Sequence, residues 1–117
     1  MIRLKLPYPP TINNYFGLHG HRRYLTPKAK AFKSQVSDAV IEHRAPKLGT
    51  ARIEMHITLC PPDKRIRDID NVLKCCIDAL CQAGVYDDDS QVDVLLVQRG
   101  PITKGGSCIV DIEVLPS

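Results

Sequence analysis

Three groupings of charge in this sequence have the residue types to do chemistry: Arg67-Asp68-Ile69-Asp70-Asn71, Lys74 one helical turn later, and the acidic run Asp87-Asp88-Asp89. The chain carries 16 Lys and Arg against 13 Asp and Glu, a formal charge of +3. Acid grouped in such a background costs repulsion that folding must offset. A divalent cation is the commonest thing that makes the crowding favourable. Mg²⁺ usually takes one or two carboxylates from a protein and keeps positions open for phosphate oxygens. Lys64, Arg65 and Arg67, just upstream, would bring a polyanion to that metal. These residues point to metal-assisted phosphodiester chemistry.

Each motif also has a plainer reading. In extended backbone alternate side chains point the same way, so Asp68 and Asp70 can face one metal. Alternatively, Asp70 caps the following helix, worth about 1 kcal/mol, and Asp68 pairs with Arg67. The cap explains one carboxylate and leaves the other, and Asn71, without a role. Lys74 lies four positions after Asp70 on the same side of a helix, where its ammonium can stabilise charge developing on a phosphate. It can equally form a surface pair with Asp78, worth a few tenths of a kcal/mol. A helix of about 13 residues is ~20 Å long, so helix geometry alone does not return Asp89 to Asp70. Either the 63–69 connection lies along the helix or the site forms across a dimer interface; otherwise the acidic run is a solvated turn. Lys104-Gly105-Gly106 has backbone N–H groups for a phosphate but not the length of a P-loop, and a hairpin turn suits it better. His19 and His21 lack a third ligand, and with Arg22 and Arg23 they make the loop a DNA contact. His43 and His56 read as structural or exposed.

The elements that must position these residues follow from periodicity. Ile2, Leu4 and Leu6 alternate with Arg3 and Lys5, a half-buried strand ended by Pro7, Pro9 and Pro10. Thr11 to Tyr24 is polar and reads as a long loop. Thr26-Pro27 is a helix start, with Phe32, Val36 and Val40 on one face to about His43 or Arg44. Ile53, Met55, Ile57 and Leu59 make a second strand. Val72, Leu73, Cys76, Leu80 and Ala83 give a second helix, stopped by Gly84. Asp87 to Ser90 is a turn, Val92, Val94 and Leu96 a third strand, and Cys108, Val110, Ile112 and Val114 a fourth. The order β-α-β-α-β-β predicts a two-layer α+β domain over residues 1–117, with a small mixed sheet of about four strands and two helices on one face.

Composition sets the limits. At 117 residues and 44% hydrophobic, the chain is sized for one domain with one modest core. Five cysteines, an odd number with no C-x-x-C pair, read as reduced core thiols and not as a disulfide framework or zinc site. No apolar run approaches the ~18 residues of a membrane span, and the N-terminus lacks a signal-peptide pattern. A cytoplasmic protein is expected, with no membrane partner.

Taken together, Pro62-Asp63-Lys64-Arg65-Ile66-Arg67-Asp68-Ile69-Asp70-Asn71, Lys74, Asp78-Ala79-Leu80 and the stretch from Ala83 to Val92 resemble the RusA family of crossover-junction (Holliday junction) endodeoxyribonucleases. Pro9-Pro10-Thr11-Ile12-Asn13 and Thr103-Lys104-Gly105-Gly106 look like the same family. R-D-x-D-N, a Lys, then D-D-x-Q-V is more specific than any one piece. The resemblance implies a homodimeric, Mg²⁺-dependent nuclease (Mn²⁺ able to substitute) that nicks a four-way DNA junction symmetrically in recombination and repair, with no other small-molecule cofactor. By position it implies Asp68, Asp70 and Asp89 as catalytic carboxylates and metal ligands, and Lys74 as the catalytic lysine. Asp88 matches an acidic position of the motif. Lys64, Arg65, Arg67, Asn13, Arg22, Arg23 and Lys104 are the expected DNA contacts. Ile66 interrupts the basic run, and Cys75-Cys76 and Asp87 fall outside the family pattern. Two other readings stand beside this one: a metal nuclease for other branched DNA, and a catalytically silent DNA-binding dimer. Clustered Asp argues against the silent binder, because a pure phosphate binder gains nothing from acid beside its cations.

Overall fold

The alternation of Ile53, Met55, Ile57 and Leu59 builds the strand at the heart of the molecule. In the computed structural model, which describes residues 1–116, this strand is β4 in an order of β1 (Ile2–Leu6), β2 (Phe16–His19), β3 (Arg22–Leu25), α1 (Pro27–Glu42), β4 (Ile53–Cys60), α2 (Leu73–Gln82), β5 (Val92–Arg99) and β6 (Ser107–Val114). Short 3-10 turns occupy Ile12–Asn14, Ile69–Val72 and Asp89–Gln91. The main sheet runs β1-β6-β4-β5. β6 is antiparallel to both neighbours, with Leu4 opposite Val110 and Val110 opposite Ile57. β5 is parallel to β4. The α+β class, the mixed four-stranded sheet and the two helices agree with the expectation from sequence.

One face of the sheet makes the core. Leu4, Leu6, Met55, Ile57, Val110 and Ile112 pack with Phe32 and Val36 of α1, with Val72 of the Ile69–Val72 turn and with Cys76, Ala79 and Leu80 of α2. Each such side chain contributes about 1.5–3 kcal/mol on leaving water, which holds both helices to that face. Thr26 caps α1, its hydroxyl accepting from the Ala29 N–H at 3.2 Å with Pro27 next in line, as the sequence predicts. Cys60, Cys75, Cys76 and Cys108 are buried. Among the described residues no helix is long and apolar enough to cross a membrane.

Two expectations change. The long loop from Thr11 to Tyr24 is in fact a 3-10 turn followed by a separate two-stranded hairpin, β2–β3. Only the root of that hairpin is buried, so the period-2 signal of a half-buried strand is missing from its sequence. Thr103–Gly106 is a turn, closed by the Gly106 N–H on the Thr103 carbonyl at 2.8 Å. It is not a hairpin, because β4 lies between β5 and β6. Parallel β4 and β5 need a crossover, and residues 61–91, which carry α2, supply it. Both acidic motifs therefore lie in that one connection.

Candidate active site

Asp68 and Asp70 stand where the crossover leaves β4. Asp68 is extended (φ −86°, ψ 129°) and precedes the 3-10 turn, with no hydrogen bond from its side chain to the turn. Asp70 lies inside that turn, and α2 begins after Val72 with no side-chain cap. The period-2 argument for a shared direction thus stops at Asp68. The plainer readings fail as well: Asp70 does not cap α2, and Arg67 pairs with Asp63 at 2.7 Å instead of Asp68. Among the described residues neither Asp68 nor Asp70 makes a side-chain hydrogen bond or ion pair.

At the other end of α2 the chain folds back. Gly84 at φ +87° allows a Schellman stop, with the Gly84 N–H on the Cys81 carbonyl (3.0 Å) and the Val85 N–H on the Leu80 carbonyl (3.2 Å). Buried Tyr86 then donates its hydroxyl to the Ile77 carbonyl at 2.6 Å, laying the return segment along the helix. The acidic run that follows is tightly built. Asp88 accepts from the Ser90 N–H at 2.8 Å in a capping box with Gln91, and that N–H holds its carboxyl below the usual range. Buried Gln91 accepts from the Asp87 and Asp88 N–H groups (2.9 and 2.7 Å) and donates to the Gly49 and Ala51 carbonyls (2.8 and 2.7 Å). All of its amide's usual capacity is used. This anchor presents Asp89 to Lys74, whose ammonium lies 3.3 Å from Oδ2. The alternative partner of Lys74, Asp78, is taken by the Tyr15 hydroxyl at 2.7 Å and by Lys33 at 3.6 Å.

Among the described residues no group of three or more His, Cys, Asp and Glu could hold a metal ion together. The Arg67 carbonyl accepts from Arg99, the last residue of β5, at 2.6 Å, whereas Asp89 stands just before the first residue of β5. Lys74, in the first turn of α2 and four residues after Asp70, nevertheless reaches Asp89, so the folded-back segment brings Asp89 alongside the start of that helix.

The cations border two clefts that meet at Ile66 and Arg67. A cleft of about 350 Å³ is lined by Lys64, Arg65, Arg67 and Arg99. One of about 310 Å³ is lined by Asp68, Asn71, Lys28, Asn14 and Tyr8. Arg67 is the least open of the basic residues here, at 23% side-chain exposure, and its hydrogen bond holds the Asp63 carboxyl down to about 2. Lys64 and Arg65 are exposed. Asn13 is exposed on its 3-10 turn while its neighbour Asn14 reaches the cleft. Arg22 and Arg23 lie on β3 of the hairpin. Lys104 is exposed in a turn whose Gly106 packs so closely on Tyr8 that an added Cβ would lie 3.0 Å from that side chain. Lys28 and Arg99 were missed from sequence, and Gln91, though part of the D-D-x-Q-V motif, was given no role. The first two sit outside any charged run, and Gln91 reveals its role only through backbone carbonyls some 40 residues away.

With the geometry in place, similarity to known proteins carries weight. The family profile described as Endodeoxyribonuclease RusA matches residues 7–114. A crossover junction endodeoxyribonuclease of Enterobacteria phage HK97 is 33% identical over 112 residues, 96% of this chain and 93% of the relative. The protein of that name from Escherichia coli strain K12 is 36% identical over 108 residues, 88% of this chain and 86% of its own. That of Enterobacteria phage 82 shows the same identity over the same length. The chain belongs to the RusA endodeoxyribonuclease family.

Proposed function

We propose that this protein, a crossover junction endodeoxyribonuclease of the RusA type, resolves four-way DNA junctions by paired symmetric nicks in recombination and repair, as a Mg²⁺-dependent homodimer. The observation that carries the reading is the state of Asp68 and Asp70. Both carboxylates lie beside a basic connection, and among the described residues no cap or ion pair engages either. Their chemistry fits Mg²⁺, which needs only one or two protein carboxylates; Asp68 and Asp70 would hold it, and Mn²⁺ would substitute. Such a metal, when bound, polarises a phosphate and eases deprotonation of water.

The chain's own residues supply the rest. Lys74, oriented by Asp89, offers positive charge to a phosphate that gathers negative charge in the transition state. Lys64, Arg65 and Arg99 line a cleft suited to a phosphate backbone, while Asn13, Arg22, Arg23 and Lys104 extend the contact. Asp89, held beside Lys74 one helical turn beyond Asp70, would complete the metal site, from its own chain or across a dimer. A C2 dimer would also present paired sites to a two-fold junction. The names of the relatives support branched DNA over linear duplex as substrate.

Purified protein incubated with a synthetic four-way junction or a linear duplex, in Mg²⁺ or EDTA, tests the reading. Symmetric paired nicks on the junction in Mg²⁺ alone are expected, with affinity falling steeply as salt rises. Preference for flaps would move the substrate to other branched DNA. Tight binding without cleavage would leave a silent binder.

A further inference from the structure

The β2–β3 hairpin is firmly rooted and otherwise open. At its base Tyr15 is buried with Ala29 of α1 and Cys75 of α2, and Phe16 and Leu25 pack on them. The Tyr15 hydroxyl is tied to Asp78 at 2.7 Å. From Leu18 to Tyr24 every residue is exposed. Residues directly opposite in an antiparallel pair share a face, so the register puts Leu18 with Arg23 on one side, and Gly17 with Tyr24 and His19 with Arg22 on the other.

The second side has an unusual construction. The ring of Tyr24 lies across Gly17, where an added Cβ would collide with Cζ, Cε2 and the hydroxyl. One side of the ring is thus supported by backbone, while 48% of the residue stays open. Arg22 lies two residues away on the same face of β3, one strand repeat of ~7 Å, and among the described residues its side chain makes no hydrogen bond or ion pair. Arg23, on the opposite face, has its guanidinium over the Phe16 ring at 4.0 Å. A supported, half-exposed ring beside an unengaged cation is the combination that proteins use to hold unpaired strands: bases stack on the aromatic and phosphates meet the cation.

We propose that Tyr24 is a stacking platform for a nucleobase left unpaired at a DNA branch point, with Arg22 on the adjoining phosphate. The proposal rests on the DNA-cleaving function above and gives the hairpin a role of its own, engagement of the opened centre of the junction. A linear duplex has no base free to occupy the ring.

The sequence contains no tryptophan, so Tyr24→Trp introduces a sole indole as reporter. In EDTA, its emission should be quenched by a four-way junction and by oligothymidylate, and unaffected by linear duplex of equal length. Tyr24→Ala should weaken junction binding about tenfold, and Tyr24→Phe should stay within about twofold of the parent. If Tyr24 serves only to cover Gly17, Tyr24→Ala loses thermal stability while the folded variant keeps its affinity; that result overturns the proposal. So does junction binding that leaves the indole emission unchanged, or equal quenching by duplex. If the unaltered protein binds no junction at all, the enzymatic reading falls, and the platform with it.

Discussion

Acid is treated in opposite ways at the two ends of the β4–β5 crossover. Around Asp87–Asp89 nearly everything is engaged: Asp88 caps a turn, Gln91 locks that turn to residues 49–51, and Asp89 reaches Lys74. Around Asp68 and Asp70 the neighbours are busy with one another, Arg67 with Asp63 and Arg99 with the Arg67 carbonyl. Among the described residues the two carboxylates themselves are left alone. The same residue type thus builds a scaffold at one end and offers open ligand positions at the other. The density of acid in a sequence marks the region; which carboxylates remain available is decided by the backbone groups and cations that reach them first.

This contrast can be broken most severely at the open end. Asp70→Asn should lower Mg²⁺-dependent junction cleavage by about a thousandfold while junction affinity is kept or rises, since a charge that repels phosphate is gone. Undiminished cleavage would remove Asp70 from the mechanism. Next is the link between the ends: Lys74→Ala should lower the single-turnover rate by about a hundredfold with affinity little changed. A loss wholly in binding would make Lys74 a residue that only positions the strand.

At the built end the expected effect is on stability. Gln91→Ala leaves two carbonyls and two N–H groups without their partner, and should cost about 2–3 kcal/mol in urea denaturation. A cost below about 1 kcal/mol would mean that water replaces the amide and that the acidic turn holds itself. The smallest effect concerns Asp63. Its carboxyl is depressed from 3.8 to about 2, first by the Arg67 hydrogen bond. A depressed carboxylate contributes stability above its unfolded value and loses it as pH falls through its folded value. The denaturation midpoint should therefore drop between pH 4 and pH 2 slightly more in the parent than in Arg67→Ala; parallel curves would show that this exposed pair contributes nothing.

What is legible in the sequence is local. Thr26-Pro27, the alternation through Ile53–Leu59 and the stop at Gly84 each act through residues a few positions apart. The hairpin is hidden because only Phe16 and Leu25 meet a core and its exposed strands show no apolar face; Gly20, at φ +64°, is the one local sign of a turn. Asp70 reads as a capping candidate because Asp caps helices well, but the intervening 3-10 turn shifts the start of α2 past it. Helical spacing offers Asp78 to Lys74, whereas Tyr15, 63 residues earlier, holds it. Partners so remote leave no trace in local periodicity.

The place of β6 between β1 and β4 governs how the molecule can be made. A nascent chain that has emerged as far as Gly106 holds three strands of the main sheet, but β1 and β4 still lack the neighbour they share, and such long-range pairings form slowly. Synthesis must therefore run ahead of folding, and apolar strand faces stay open to chaperones or to aggregation in the interval. A ribosome-stalled chain ending at Gly106 should be cut readily by protease at sites that the finished protein protects.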